Sequence, residues 1–490
     1  MSVVTLEKVN EAYIRVNCND GIARELWQHF SFKPKNFQHM QKFRKKQWTG
    51  EIRLFNMRTR MIYHGLAEEV IKFCKTQGYD VEIEFDMSEN AVALAEVTED
   101  ISTVKIPDFI KARDYQIEAI AHCIRSNRGI VVSPTGSGKS LTLYLLSRLM
   151  NKRTLIIVPT IMLVTQMYND FVDYASIDDE WKAPERCQMI MGGLTKEAKK
   201  DVVISTWQSL ITLEPEYFEQ FDMVIVDEVH TAAAKSIQSI MGWLENCKYR
   251  FGLTGTLQDS QCDELVLKGL FGPIKQVVST KELIDRGILS DVEIHCLLLK
   301  YSKESRKALP RKDYNKEIEF LIAHEKRNNF IAHLALSLPK HTLIMYSRVE
   351  KHGQILYDLI RKKTDKVFFI HGGVSADERE RIRQVVDKAE EKYIIISSYQ
   401  TFQLGVNLPN LHNIIFASPS KGKIRVLQSL GRGLRKAKGK TIFQLFDIAD
   451  DLALSKTDKN YTLNHLAERL KLYVAEQFKW KLKEIRLEND

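Results

Sequence analysis

Gly136, Gly138, Lys139 and Ser140 have the residue types and spacing that hold phosphate. They close the stretch Ser133-Pro134-Thr135-Gly136-Ser137-Gly138-Lys139-Ser140, which follows the apolar run Gly129–Val132 and precedes the apolar segment Leu141–Met150. Strand, glycine-bearing loop, Gly-Lys-Ser and helix form the order a nucleotide-phosphate cradle requires. The glycines let the backbone curl so that successive N–H groups after Pro134, from Thr135 to Ser137 and onward, face phosphate oxygens, and the helix N-terminus adds its dipole. Lys139 would reach the β- and γ-phosphates and the Ser140 hydroxyl would ligand Mg²⁺. Ser133 stands where such loops open with Gly.

A second group of chemistry-bearing residues lies about 90 positions on. The run Met223–Val226 ends in Asp227 and Glu228, with His230 two residues later. Carboxylates at the C-terminal end of a buried parallel strand sit where α/β sheets bind ligands. Asp227 is placed to hold Mg²⁺, Glu228 to polarise an attacking water, and His230 to link the site to its neighbours. Thr254 and Thr256, in a Thr-Gly-Thr turn after another apolar run, could relay the state of the γ-phosphate. Arg113, Tyr115 and Gln116 precede the loop; the Gln116 amide suits an adenine edge, with Tyr115 or Arg113 stacking or orienting nearby. Pro159, Thr160 and Gln166, and likewise Thr206, follow strand candidates directly. They could grip a nucleic-acid backbone phosphate or simply cap the next helix.

The distal half carries a complementary set. Gln428, Arg432 and Arg435 lie in Gln-Ser-Leu-Gly-Arg-Gly-Leu-Arg, with the two arginines one helical turn apart; guanidinium forks suit a γ-phosphate presented from across a cleft. Gly405 and Asn407 form a turn suited to coupling nucleotide state to a nucleic-acid track. Arg348, Gly372 and Ser398 stand at further strand ends as candidate backbone contacts.

These groups need a scaffold of parallel strands. From about Lys105 the chain alternates β-branched runs with helical patterns, the signature of α/β domains. One series of strands is expected at Gly129–Val132, Thr154–Val158, Val202–Ser205, Met223–Val226 and Arg250–Leu253. A second is expected at His341–Tyr346, Lys366–Ile370, Tyr393–Ser397, Asn413–Ala417 and Thr441–Leu445. The expected fold is therefore α/β, with two tandem nucleotide-fold parallel-sheet domains at 105–290 and 291–450. A small α+β unit at 1–104 precedes them, and a helical tail at 451–490, with Leu463, Leu466, Leu470 and Val474 at helical spacing, follows.

Bulk composition narrows the classes. A chain of 490 residues exceeds one core and implies roughly three domains. Its seven cysteines are scattered without a Cys-x-x-Cys pair, which argues against zinc and disulfide scaffolds. The expected compartment is the cytoplasm, because the N-terminus lacks a signal-like apolar stretch and no apolar run is long enough to span a bilayer. Of the formal +9 charge, most lies in residues 31–60, where nine cations face the single acid Glu51. Lys42, Arg44, Lys45, Lys46 and Trp48 sit in this run, which suits phosphate neutralisation with aromatic stacking. A solvated amphipathic element with core aromatics would read the same way.

The ordered set Arg113–Gln116, Gly136–Ser140, Pro159–Gln166, Asp227–His230, Thr254–Thr256, Gly405–Pro409 and Gln428–Arg435 resembles the superfamily 2 helicases. The resemblance covers roughly residues 105–450, and seven motifs in order make it specific. His230 in the acidic box and the Thr-Gly-Thr turn make the chain similar to DExH-type recombination and repair helicases rather than to DEAD-box RNA helicases. Asn407 replaces the usual Asp and Ser398 the usual Thr; neither change removes a hydrogen-bonding group. The resemblance implies RecA-like domains, with Arg432 and Arg435 as arginine fingers. It also implies ATP- and Mg²⁺-driven remodelling of branched DNA and removal of RNA paired into DNA. The partners would be DNA and RNA–DNA hybrid, with single-stranded-DNA-binding or recombination proteins as further candidates and no membrane. The same parts would also serve a duplex translocase that leaves strands paired, or an ATP-gated nucleic-acid clamp.

Overall fold

The structure, a computed structural model, describes residues 3–487 apart from 35–36, 40, 89, 193–196, 232–234, 258–260, 309–312, 348, 404–407, 409, 419–421, 423–425, 428–429, 432, 437–439 and 456–458. The chain divides into two compact units: Met1–Ser133 with Gly138–Val278, and Ser279–Asp490 with the tetrapeptide Pro134–Ser137.

Seven strands form an all-parallel sheet in the first unit. Across the sheet they run Ile274–Gln276, Arg128–Val132, Tyr249–Thr254, Met223–Asp227, Thr154–Val158, Val202–Thr206 and Cys187–Ile190. Both faces are buried, which is why these strands read as continuous apolar runs. Alternate side chains feed opposite cores. Ile130, Leu155, Ile157, Val224 and Val226 enter one, whereas Val131, Ile156, Val158, Met223 and Ile225 enter the other. The first of these cores also contains Val4, Leu6, Ile14 and Val16 from a four-stranded N-terminal sheet ordered Met61–Tyr63, Tyr13–Asn17, Val3–Lys8 and Asp80–Ile83. The N-terminal α+β element therefore shares its apolar interior with the parallel sheet. Polar contacts reinforce the junction: Arg128 Nη2 donates to Glu11 Oε2 at 3.1 Å, and Glu11 N to Glu245 O at 2.9 Å.

The second unit holds another seven-stranded parallel sheet. Its order is Val367–Ile370, Ile394–Ser398, Thr342–Tyr346, Asn413–Phe416, Ile442–Asp451, Asp291–Lys300 and Lys479–Arg486. Strand Ile442–Asp451 runs six residues past the expected end at Leu445. Asp447 and Asp450 on it are fully buried, and each meets an arginine from a different helix. Arg469, from helix Tyr461–Ala475, places Nε 2.8 Å from Asp447 Oδ2, and Tyr473 Oη donates to the same oxygen at 2.8 Å. Arg327, from helix Glu325–Ser337, places Nε 2.8 Å from Asp450 Oδ1, where the Tyr301 hydroxyl also donates at 2.7 Å. Asp447 and Asp450 are three apart on a strand and so point to opposite faces. The carboxylates thus fasten a helix to each side of the sheet.

Among its described residues the tail is helical over Tyr461–Ala475, and Lys479–Arg486 is an edge strand paired with Asp291–Lys300. The acidic stretch after Asp80 holds strand Asp80–Ile83 and a helix, Leu94–Thr103. Helix Leu94–Thr103 buries Val97 and Ile101 in the second core of the first unit. Among the described residues, no helix is long and apolar enough to cross a membrane.

Candidate nucleotide and nucleic-acid site

Three neighbouring strands of the first sheet end at one level. Thr254 pairs with Val132, the last strand residue before the loop, and Leu253 pairs with Asp227. The phosphate loop, the Thr254–Thr256 turn and the Asp227–Glu228 pair are therefore adjacent at the C-terminal edge. Ser133 N donates to Thr254 O at 2.9 Å, tying the start of the loop to the turn.

Gly136 and Gly138 adopt φ of 88° and 87°, the left-handed region that L side chains resist. Gly138 begins helix Lys139–Met150, and a Cβ there would lie 2.5 Å from Gln116 Nε2. That amide donates to Gly138 O at 3.1 Å, while Gln116 Oε1 accepts from Arg113 N at 2.8 Å. Gln116 thus braces the loop from beneath, in addition to whatever base it could read. Tyr115 is buried and its hydroxyl accepts from Arg113 Nη1 at 2.9 Å, so Arg113 is the exposed member of the trio. Lys139 Nζ donates to Ser133 O at 3.3 Å, folded back along the loop.

The acidic pair is electrostatically strained. Burial and the adjacent Glu228 carboxylate raise the Asp227 pKa to about 6, with Lys139 acting in the opposite direction. Glu228 has a positive φ of 52°, and its N–H is capped by Asp227 Oδ1 at 2.9 Å. His230 joins the pair to the next strand: its Nδ1 lies 3.3 Å from Glu228 Oε2 and 2.9 Å from Thr254 Oγ1. The Thr254 hydroxyl donates to Thr256 O at 2.8 Å, so toward His230 it is an acceptor and Nδ1 carries the proton. His230, Thr254 and Thr256 form one hydrogen-bonded chain, and Glu228 Oε2 lies beside it at ion-pair distance.

Elsewhere the hydroxyls act within helices. Thr160 caps Ile161–Tyr174 through Leu163 N at 3.4 Å, with Pro159 O accepting from Gln208 and Gln166 exposed on that helix. Thr206 is buried and caps Ser209 N at 3.3 Å. In the second unit, Ser398 is buried, its hydroxyl 2.8 Å from Thr401 Oγ1. Gly372 is exposed, with its carbonyl accepting from Arg379 at 3.2 Å. Arg435 forms an isolated bridge with Leu289 at the end of its helix. Arg348, Gly405, Asn407, Gln428 and Arg432 lie outside the described residues, as does the side chain of Lys42.

In the basic N-terminal segment Arg44, Lys45 and Lys46 are exposed. Its aromatics turn inward: Phe55 is buried, Phe37 and Phe43 pack edge to face at 4.8 Å, and the Trp48 indole N–H donates to Glu51 O at 2.8 Å. One residue with no sequence signal also bears on the site. The Tyr174 phenol hydrogen-bonds the Ser140 side chain, and burial raises its pKa. Phe109, seven residues before Gln116, is 86% exposed.

Comparison with known proteins agrees with this geometry. Residues 109–259 match the type III restriction enzyme res subunit family, 325–437 the helicase conserved C-terminal domain, and 5–84 the N-terminal domain of the DNA helicase UvsW. The ATP-dependent DNA helicase uvsW of Enterobacteria phage T4 is 33% identical, over 97% of this chain and 98% of its own length. The chain belongs to the UvsW family of superfamily 2 helicases. The crystal structure of T4 UvsW covers 99% of both chains at 32% identity with a TM-score of 0.51. A more distant relative, the DNA 3'-5' translocase XPB2 of Sulfurisphaera tokodaii, is 28% identical over 80% of this UvsW-family chain and 90% of its own. The tandem RecA-like architecture and the α+β N-terminal element expected from sequence are thereby established for this chain.

Proposed function

We propose that this UvsW-family helicase uses ATP hydrolysis to remodel branched DNA, by junction migration and fork regression, and to strip RNA from RNA–DNA hybrids. The observation that carries the reading is the alignment, at three adjacent strand ends, of a phosphate loop, a crowded carboxylate pair and a relay running from Glu228 through His230 to Thr254.

In this reading the loop after Pro134, from Thr135 to Gly138, wraps the ATP phosphates with backbone N–H groups, and Lys139 neutralises the β- and γ-oxygens. Two crowded carboxylates beside a hydroxyl fit a divalent cation: Ser140 and Asp227 would hold Mg²⁺ together with phosphate oxygens, and the ion would supply charge neutralisation. Glu228 orients and deprotonates the attacking water. Its own orientation is held by His230, which reports the change to the Thr254–Thr256 turn. Gln428, Arg432 and Arg435 stabilise the γ-phosphate charge. Phe109 and Arg113 offer exposed groups to the base. Pro159, Thr160, Gln166, Thr206, Arg348, Gly372 and Ser398 lie at helix starts and strand ends suited to backbone phosphates, with Gly405 and Asn407 coupling them to ATP. The exposed cations of the N-terminal element add non-specific affinity for the duplex arms.

A second reading, translocation along duplex DNA without strand separation, is favoured by the XPB2 relative. Unwinding with ATP on a four-way junction, a forked duplex, an RNA–DNA loop and a blunt duplex separates the two. Product from the branched and hybrid substrates alone supports remodelling. DNA-stimulated hydrolysis without product, but with displacement of a bound protein roadblock, supports translocation; hydrolysis with neither product supports a clamp.

A further inference from the structure

Lys440 is a charged residue in an apolar place. It is 3% exposed, two residues ahead of strand Ile442–Asp451, and its ammonium lies over the Phe443 ring, 5.5 Å from the centroid. A lysine buried this far must find acceptors. It finds them in the turn that ends the Arg435 segment: Nζ donates to Arg435 O at 3.0 Å and, in a short bond, to Gly433 O. Between these two, Leu434 O accepts from Ser290 N at 2.8 Å. Three successive carbonyls at a helix C-terminus are thus all satisfied, two of them by one ammonium, where a positive charge also complements the helix dipole. Gly433 is held on its other side, since a Cβ there would lie 2.4 Å from the Phe443 ring. Burial brings the Lys440 pKa down to about 7, while the two carbonyl acceptors favour its protonated form.

We infer that Lys440 is a positioning residue for the proposed arginine finger: rooted at the start of strand Ile442–Asp451, it fixes the Gly433–Arg435 backbone and through it the direction of the Arg435 guanidinium. The inference rests on the reading of Arg435 as the group that meets the γ-phosphate. A cation that merely filled space could be replaced by an apolar chain of the same length. A cation that fixes the turn cannot be, because two carbonyls would lose their donor.

The test uses the full chain and compares Lys440→Met, Arg435→Ala and the double variant in DNA-stimulated ATP hydrolysis, with thermal unfolding measured alongside. Lys440→Met should lower kcat about tenfold or more while the KM for ATP stays within about threefold. The double variant should hydrolyse ATP no more slowly than Arg435→Ala alone, because both changes disable one device. A Lys440→Met kcat within twofold of the parent overturns the inference. So does a double variant whose loss is the product of the two single losses, which marks a general structural role. If Arg435→Ala itself leaves hydrolysis unchanged, the arginine-finger reading fails instead, and the two failures are told apart. Should Lys440→Met not fold, Lys440→Gln, which keeps one polar donor, is read by the same criteria.

Discussion

Replacing His230 with alanine removes the link between the residue proposed to activate water and the neighbouring strand. His230 Nδ1 hydrogen-bonds Thr254 Oγ1 at 2.9 Å and lies 3.3 Å from Glu228 Oε2, an electrostatic contact without hydrogen-bond geometry. A hydrogen bond to a charged acceptor contributes about 1.5–3 kcal/mol and one between neutral groups about 1 kcal/mol. The Glu228 contact lacks hydrogen-bond geometry, so we take about 1 kcal/mol for the loss of orientation, which corresponds to roughly fivefold in rate. His230 lies outside both apolar cores, so the unfolding temperature should move by only a few degrees. The assay is steady-state ATP hydrolysis at saturating DNA, read beside strand displacement from a four-way junction. Hydrolysis should fall roughly fivefold with little change in KM for ATP, and displacement should fall further because the Thr254 contact is lost too. Hydrolysis within twofold of the parent would refute the argument that His230 orients Glu228.

Three further outcomes follow from the same contacts. Arg469→Met leaves Asp447 buried without its cation and should cost the second unit about 3–5 kcal/mol, seen as a drop of roughly 6–20 °C in its unfolding transition; an unchanged transition contradicts the fastening role. His64 and His352 have pKa values lowered from 6.5 to about 2 and about 3, chiefly by burial, so both are neutral when folded. Because the unfolded chain takes up these protons first, stability is lost as pH falls below about 6.5, by roughly 1.5 kcal/mol per histidine between pH 6.5 and 5. Denaturation midpoints should drop accordingly, and equal midpoints at both pH values would contradict it. Replacing Arg44, Lys45 and Lys46 with alanine should reduce the slope of log affinity against log salt by up to about 2–3 for duplex DNA; an unaltered slope would give the segment a structural role only.

The site was legible in sequence because its parts are local. A glycine pair before Gly-Lys-Ser, and an apolar run ending in Asp-Glu, need only a few neighbouring residues to declare themselves. Central strands were legible for the same reason, since burial on both faces writes a continuous apolar run. What escaped was set by distant partners. Asp447 and Asp450 interrupt the apolar run beyond Leu445, where the sequence predicts the strand to end; Arg469 and Arg327, 22 and 123 residues away, are what admit them to the interior. Lys479–Arg486 alternates Lys479, Lys481 and Lys483 with Trp480 and Leu482, an edge-strand pattern masked by its charge. The bracing of the phosphate loop by Gln116 was likewise invisible, because an amide suited to a base is equally suited to a carbonyl.

The most direct test of the account is ATP-driven displacement of strands from a four-way DNA junction by the full chain and by Lys139→Ala. The account predicts ATP-dependent product from the parent and none from the variant, with junction binding retained. Product from Lys139→Ala at a rate near the parent's would contradict it, because the cradle from Gly136 to Ser140 would then not be where the driving nucleotide is spent.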